Sequence, residues 1–400
     1  MKKLEDIIKE KSFWKEFLEY RLEGGHLSKI EEEKLFSYVE NEDYLYDVEE
    51  FLAGKQFPLP TIKVINKINS QKKRMVFVFP ENKNLFLKGI SYYLMNYDWI
   101  FPPNLCSFRR ELCAKTAVNK LRKVCGISEK YSYKTDVSDY FNSADIGILL
   151  PLLERTLEDN KLLYSFLADI LQNPFAEKDG EIVKVKKGII AGAPFSSFLA
   201  NLYLEEIDRN FWEKGVVYIR YSDDIIVFAD TQEEIESLKN EILEFLCKKG
   251  LSVNPKKEIF TKPGEQWEFL GFSYFNGIVD ISKTALDKMK GKMKRKARAL
   301  NRWREKKNAS PQRAVQAFIR KFNKKFFSDD NGHNITWARW YFPVINTDKS
   351  IHELDLYMQD CIRFIAHGSY SKKRFDLRYE TIKQWGYINL VNEYYSFKEG

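Results

Sequence analysis

Apolar residues recur at helical spacing through about the first 60 residues, with Leu4, Ile7 and Ile8 followed by Phe17 and Leu18, until Pro58 and Pro60 break the pattern. This predicts an N-terminal helical extension over 1–60. Arg74 to Phe79 is a β-prone run closed by Pro80, and helical spacing returns up to about residue 125. A strand is predicted over 131–137 (YSYKTDV), two helices within 145–172, and a strand or hairpin over 180–187. The pattern then sharpens into a helix over 195–213, strands over 216–221 and 225–229, a helix over 231–249 and short strands through Tyr274. From about 283 helical spacing dominates to the end. No internal repeat or low-complexity segment interrupts this order.

The two strands VVYIRY and IIVFA are separated only by Ser222-Asp223-Asp224, which predicts a hairpin with paired carboxylates at its tip. Aspartate favours turns, so an Asp-Asp pair alone reads more readily as a solvated hairpin end. A third carboxylate, Asp136, closes the strand YSYKTDV. Rigid carboxylates suit Mg²⁺, which takes hard oxygen ligands and shares them with substrate phosphates. Two such ions can stabilise both the attacking and the leaving oxygen of an in-line phosphoryl displacement.

Around these residues the chain resembles the reverse transcriptases. TDVSDYF, with Asp136 and the aromatic Phe141 five positions on, is similar to their first catalytic motif, and RYSDDIIVF, with Tyr221, Asp223 and Asp224, to their tyrosine-any-Asp-Asp motif. Lys72-Lys73-Arg74 and Ser107-Phe108-Arg109 resemble the fingers motifs. GIIAGAPFSSFLAN (188–201) aligns with the second palm motif through Gly188, Gly192, Ala193, Pro194, Ser196 and Asn201. Gly250-Leu251 with Asn254 and Lys257, then Phe269-Leu270-Gly271-Phe272, resemble the motif near the departing pyrophosphate and the primer grip. Seven blocks in the family's order leave little room for coincidence.

The resemblance implies an α/β (α+β) right-hand polymerase with fingers over 61–130, a ferredoxin-like palm over 131–275 (its fingers-palm helices at 145–190), and a helical thumb with C-terminal helical extension over 276–400. It implies RNA-directed DNA synthesis with two Mg²⁺ ions, or Mn²⁺ as substitute, held by Asp136, Val137, Asp223 and Asp224. Lys257 would be a proton donor to pyrophosphate. Lys72, Arg74, Phe141, Ala191 and Tyr221 would meet the nucleotide, Phe141 as the gate against a ribose 2′-hydroxyl; Arg109, Phe269, Leu270 and Gly271 would meet nucleic acid. Trp337 to Pro343, Arg363 and Tyr379 to Tyr395 resemble the C-terminal region of bacterial reverse transcriptases that act in antiphage defence, which implies a non-coding template RNA, dNTPs and a cDNA product. Retron-type enzymes and intron maturases are the alternatives within the family. One departure stands out: Ile190-Ala191 replaces the Pro-Gln usual in the second palm motif, which points to a specialised product.

Composition adds a location for the charge. The 400 residues carry 65 Lys and Arg against 57 Asp and Glu, a net of +8. Residues 285–307 hold eleven of the basic residues against Asp287 and Glu305, so this segment accounts for the whole excess. Leu286, Met289, Met293, Ala297, Leu300 and Trp303 recur there at steps of three and four, which makes it an amphipathic helix with a basic surface. Lys288, Lys292, Lys294, Arg295, Lys296, Arg298 and Arg302 are its candidates for phosphate contact.

The five cysteines include no CxxC pair, which suits a reducing cytoplasm, and no apolar run is long enough for a membrane span. His26, His333, His352 and His367 are scattered and make no nuclease cluster; Asp329-Asp330 reads as a loop. The rival readings are a non-catalytic RNA-binding module on the same fold, against which the intact carboxylates speak, and an RNA-dependent RNA polymerase, against which Phe141 speaks. A homo-oligomer is left open.

Overall fold

The computed structural model describes residues 3–24, 27–66, 73–186, 188–327 and 336–399. They form two compact units, one ending at Pro263 and one beginning at Gly264. The boundary drawn at 275 from the sequence thus falls inside the second unit.

The first unit is organised by an antiparallel sheet in the spatial order Val217–Tyr221, Asp224–Ala229, Tyr131–Asp136, Ile259–Thr261. In chain order this is strand, helices, two strands, helix, strand, the ferredoxin-like arrangement. Its strands are rich in β-branched and aromatic residues because both faces are covered: Tyr133, Tyr218, Ile225, Ile226, Val227 and Phe228 are all buried. The helix Gln232–Lys248 packs on the two central strands. It starts at a reciprocal cap in which Thr231 accepts from Glu234 and the Glu234 side chain accepts from Thr231.

A second four-stranded sheet runs Lys73–Val78, Thr61–Asn66, Phe175–Lys178, Glu181–Lys184. Its first pair is antiparallel in register from Thr61 opposite Val78 to Asn66 opposite Lys73. The predicted strand or hairpin at 180–187 is a hairpin that begins earlier, at Phe175. Its two-residue turn is Asp179-Gly180, both at positive φ (53° and 88°), the geometry for which Asp-Gly is suited. The strand Thr61–Asn66 was not expected; its alternation is short, and cross-strand pairing rather than local pattern makes it a strand. The single helix expected over 195–213 is two, Ser196–Tyr203 and Glu205–Glu213, broken at Leu204 (φ −114°, ψ 10°). Leu204 is fully buried, so helical periodicity continues through the break and hides it.

The N-terminal helices share the core of this unit rather than standing apart. Trp14, on Lys11–Glu23, is fully buried, stacks on Tyr44 at 4.9 Å between ring centroids and donates its indole N–H to the Ile8 carbonyl at 2.8 Å. Lys83, on Glu81–Leu94, is buried between Asp47 (2.6 Å) and Glu50, and Tyr38 donates to the same Asp47 at 2.6 Å. These bonds tie the helices Lys29–Glu40 and Tyr44–Leu52 to Glu81–Leu94.

The second unit opens with an antiparallel meander, Trp267–Phe269, Phe272–Phe275 and Ile278–Ile281. The basic segment follows as one 25-residue helix, Lys283–Lys307, capped at its start by Ser282. Its stripe of Leu286, Met289, Met293, Ala297 and Leu300 is buried, while Trp303 is half-buried beneath Arg313. The stripe packs against Lys349–His367 and Pro311–Phe326. Among the described residues no helix is long and apolar enough to cross a membrane.

The joint between the N-terminal helices and Glu81–Leu94 requires a glycine. A Cβ on Gly89 would lie 2.5 and 2.7 Å from ring atoms of the immobile Trp14. Ala in place of a helical Gly ordinarily stabilises by about 1 kcal/mol. Gly89→Ala is expected to do the reverse and cost about 1–3 kcal/mol through overpacking. Urea unfolding followed by circular dichroism reads the sign directly.

Candidate active site

Sheet register brings the three carboxylates together. Asp136, the last residue of its strand, stands directly across from Asp224, the first residue of the neighbouring strand, and Asp223 occupies the turn that joins Val217–Tyr221 to Asp224–Ala229. The Val137 N–H donates to the Asp223 carbonyl at 2.9 Å, which locks the turn to the end of the Asp136 strand. Lys257, in the turn Pro255–Lys257, places Nζ 2.5 Å from Asp136 Oδ2, and the Asn254 N–H holds the Asp136 carbonyl at 3.0 Å.

The electrostatics follow from burial and like charge. Burial, and then the Asp136 carboxylate, raise the Asp223 carboxyl above the ordinary aspartate range. Asp224 is pushed up to about 6 by burial and by the charges of Asp223 and Asp136. Among the described residues no group of three or more His, Cys, Asp and Glu side chains is arranged so that it could hold a metal ion by itself. The carboxylates instead make an open, crowded anionic rim, which suits a cation that brings phosphate oxygens and water with it.

The other residues expected to meet the nucleotide, where described, lie on several elements of the first unit. Phe141, on the short helix Tyr140–Ser143, is half-buried, and its carbonyl accepts from the Ile189 N–H at 2.7 Å. Gly188 lies against the same backbone; a Cβ there would sit 2.3 Å from the Phe141 carbonyl oxygen. Ala191 is buried, and its carbonyl accepts from the Phe77 N–H at 2.8 Å, which docks the strand Lys73–Val78 onto the second palm motif. That strand carries Arg74 opposite Ile65. Tyr221 ends its strand beside Phe108, with ring centroids 6.5 Å apart. Lys72, His26, His333, Asp329 and Asp330 lie outside the described residues.

Arg109 departs from expectation. Rather than facing nucleic acid, its guanidinium is spent on Asp98 (2.9 and 3.0 Å) and on the carbonyls of Asp98, Pro102 and Leu105. The exposed member of that motif is Phe108, held at φ 55°. In the second unit Phe269 is fully buried in the meander, with Leu270 (φ 51°) and Gly271 (φ 87°) forming the tight turn after it. Of the basic helix, Lys288, Lys294, Arg295, Arg298 and Arg302 are exposed, and Lys292 and Lys296 are half-exposed.

A group that the sequence reading missed lies beneath the carboxylate turn. Asp208 and Arg220 are both fully buried and paired, with Arg220 Nη2 2.5 Å and Nε 2.9 Å from the carboxylate. Tyr218 donates to Asp208 at 2.9 Å, and Arg220 also donates to the carbonyls of Asn201 (3.0 Å) and Ser222 (3.2 Å). Burial pushes the Asp208 carboxyl up, while Arg220 and Tyr218 pull it back down. Such a pair adds little net stability, yet breaking it costs about 3–5 kcal/mol because one charge is left stranded. The available signal was one charge of each sign at a core-facing position, Arg220 inside VVYIRY and Asp208 between Ile207 and Phe211.

A ferredoxin-like sheet with carboxylates on a central hairpin tip and on the end of the adjoining strand defines the palm of a right-hand polynucleotide polymerase. Residues 65–274, more than half of the chain, match the family described as reverse transcriptase (RNA-dependent DNA polymerase), and the chain belongs to that family. Retron Ec86 reverse transcriptase of Escherichia coli is 23% identical over 171 residues, 42% of this chain and 49% of that protein. Group II intron-encoded protein LtrA of Lactococcus lactis is 26% identical over 195 residues, 47% of this chain and 31% of that protein. The chain thus matches half or less of the length of these curated relatives. Among solved structures, apo telomerase from Candida tropicalis, truncated at its C-terminal domain, aligns with a TM-score of 0.45 at 14% identity over 57% of this chain and 55% of that one. Telomerase from Candida albicans, in complex with a fragment of telomeric RNA, aligns with a TM-score of 0.45 at 11% identity over 90% and 70%.

The raised Asp224 value makes stability depend on pH. An ordinary aspartate loses its proton near 3.8, whereas the folded Asp224 holds it to about 6. Its contribution is therefore complete below the lower value and is lost as pH rises through the upper one. In EDTA at pH 7.5, Asp224→Asn is expected to raise the thermal midpoint by about 2–6 °C over wild type, with the difference vanishing near pH 4. Calorimetry at the two pH values checks this; an unchanged or lowered midpoint at pH 7.5 contradicts it.

Proposed function

We propose that the chain is an RNA-directed DNA polymerase that extends a DNA strand on an RNA template from dNTPs, using two Mg²⁺ ions or Mn²⁺ in their place. The observation that carries this reading is the like-charge register of Asp136 opposite Asp224 with Asp223 in the turn, an anionic rim that divalent cations would neutralise. Asp136, Asp223 and the Val137 carbonyl would hold them, with Asp224 completing the rim. Bound there, such ions supply charge stabilisation to the attacking and leaving oxygens of an in-line phosphoryl transfer.

The side chains would do the rest. The Phe141 ring, anchored through its own backbone to Ile189, would fill the space a ribose 2′-hydroxyl needs. Lys257 would exchange Asp136 for a phosphate oxygen and hand a proton to the departing pyrophosphate. Lys72, Arg74, Ala191 and Tyr221 would line the approach of the nucleotide. In the second unit Lys288, Lys292, Lys294, Arg295, Lys296, Arg298 and Arg302 would follow the phosphates of the template and product duplex, with Phe269-Leu270-Gly271 as the primer-grip turn. The biological setting we infer is antiphage defence in the cytoplasm, with a non-coding RNA as template; the resemblance of Trp337 to Pro343 and of the C-terminal segment to that branch of the family supports it.

Replacing Asp223 and Asp224 together with Ala is expected to reduce dNTP incorporation to background while RNA affinity is retained, since the chemistry needs the cations and binding needs the basic surface. Primer extension beside filter binding tests this, and undiminished synthesis would falsify the assignment. Changing Lys294, Arg295, Lys296 and Arg298 together to Gln is expected to lower the slope of log affinity against log salt by about 3, as fewer counterions are released. An unaltered slope would remove this helix from the nucleic-acid surface.

A further inference from the structure

Ser222, between Tyr221 and the carboxylate pair, stands in the left-handed region at φ 59°. A residue other than glycine stays there only when its surroundings impose it. Both of its peptide groups are held by buried side chains. Its N–H donates to Ser107 Oγ at 2.9 Å, and its carbonyl accepts from Arg220 Nη1 at 3.2 Å. Ser107 is fully buried; its hydroxyl donates onward to Asn201 Oδ1 at 3.0 Å, and Asn201 Nδ2 returns a bond to the Ser107 carbonyl at 2.8 Å. Arg220 is aimed by Asp208 and by the Asn201 carbonyl.

The loop before Phe108, two helices and the strand Val217–Tyr221 thus converge on one residue, Ser222. From the next residue a further backbone bond, Val137 N–H to the Asp223 carbonyl, reaches the strand end that bears Asp136. The hydrogen-bond directions are consistent along the network: Ser107 Oγ accepts from the Ser222 N–H through a lone pair while its own proton goes to Asn201 Oδ1, and the remaining acceptors are carbonyl or carboxylate oxygens. A fully satisfied buried network of this kind specifies one geometry far more effectively than it adds stability.

We propose that Ser107, Asn201, Asp208 and Arg220 are positioning residues of the polymerase site: their buried network fixes the left-handed turn at Ser222 and, through it, the placement of Asp223 against Asp136. This rests on the polymerase reading of the carboxylates. None of the four touches a reacting atom; each acts through the Ser222 backbone. Without the network the Ser222 turn relaxes and Asp223 swings away from Asp136, so cation binding has to rebuild the rim each time.

Ser107→Ala tests this with the loss of a single oxygen, and Asp208→Asn withdraws the charge that aims Arg220. Tyr38→Phe, which removes a buried hydrogen bond to Asp47 in the N-terminal helices, is the control for a merely structural effect. The first readout is Mn²⁺ affinity of the full chain by electron paramagnetic resonance, without nucleotide. Ser107→Ala is expected to weaken it about tenfold or more, as loss of a ligand-orienting bond does, and Tyr38→Phe to leave it unchanged. The second is primer extension, where kcat should fall about 10–100-fold while the dNTP KM stays close to wild type. Wild-type Mn²⁺ affinity in both Ser107→Ala and Asp208→Asn, or equal weakening by Tyr38→Phe, would overturn the proposal. Weakened Mn²⁺ binding in Ser107→Ala from a wild type that extends no primer would uphold the positioning and overturn the polymerase reading instead.

Discussion

Like charges placed directly across an antiparallel pair destabilise a sheet, and this molecule is built around one such pairing. Asp136 faces Asp224 at the point where two strands run out, with Asp223 one residue further on. The repulsion would open a mobile loop. Here the carboxylates are carried by strands whose other side chains, Tyr133, Ile225 and Val227 among them, are locked in the core, so they cannot move apart. The crowding becomes a standing demand for positive charge. Lys257 answers part of it from a turn whose backbone is itself bonded to Asp136. The apolar strands, the covering helices and the buried ion pair below the turn all serve to keep an unfavourable register in place.

The basic helix of the second unit illustrates a different discipline, the division of charge between outside and inside. Not every cation that the sequence counts on this helix is available to a ligand. Lys290 pairs with Glu353, and Arg304 donates to the carbonyls of Ile365 and Ala366 at the end of the neighbouring helix. Arg304 acts as a helix terminator's partner, satisfying carbonyls that have no donor within their own helix. The cations left on the surface lie around the helix away from the buried Leu286 to Leu300 stripe, so amphipathicity and electrostatics share a single periodicity.

What could be read from the chain alone divides along physical lines. Periodicity and turn chemistry are local, so the palm strands, the hairpin with its carboxylates, the long helix and its apolar stripe were all legible. Interactions between distant segments left no local trace. Arg109 looked like a ligand contact because its motif resembles one, yet five hydrogen bonds to its own neighbourhood decide its orientation. Thr61–Asn66 is a strand because Lys73–Val78 pairs with it, and the break at Leu204 is concealed by a leucine that is buried either way. Asp208 and Arg220 lie twelve residues apart, and neither spacing nor composition indicates that they meet. Their roles depend on hydrogen-bond geometry, which only folded coordinates contain.

The hydrogen bond that joins the strand Lys73–Val78 to the second palm motif is a main-chain one, from the Phe77 N–H to the Ala191 carbonyl. Gly192 next to it admits no side chain, since a Cβ would approach the Phe77 carbonyl oxygen to 2.7 Å. Position 191 is therefore held through its carbonyl, an acceptor that every amino acid presents in the same way. The glutamine usual at this place in the motif can be exchanged for alanine without loosening the attachment. At this residue the attachment depends on the backbone and not on the identity of the side chain.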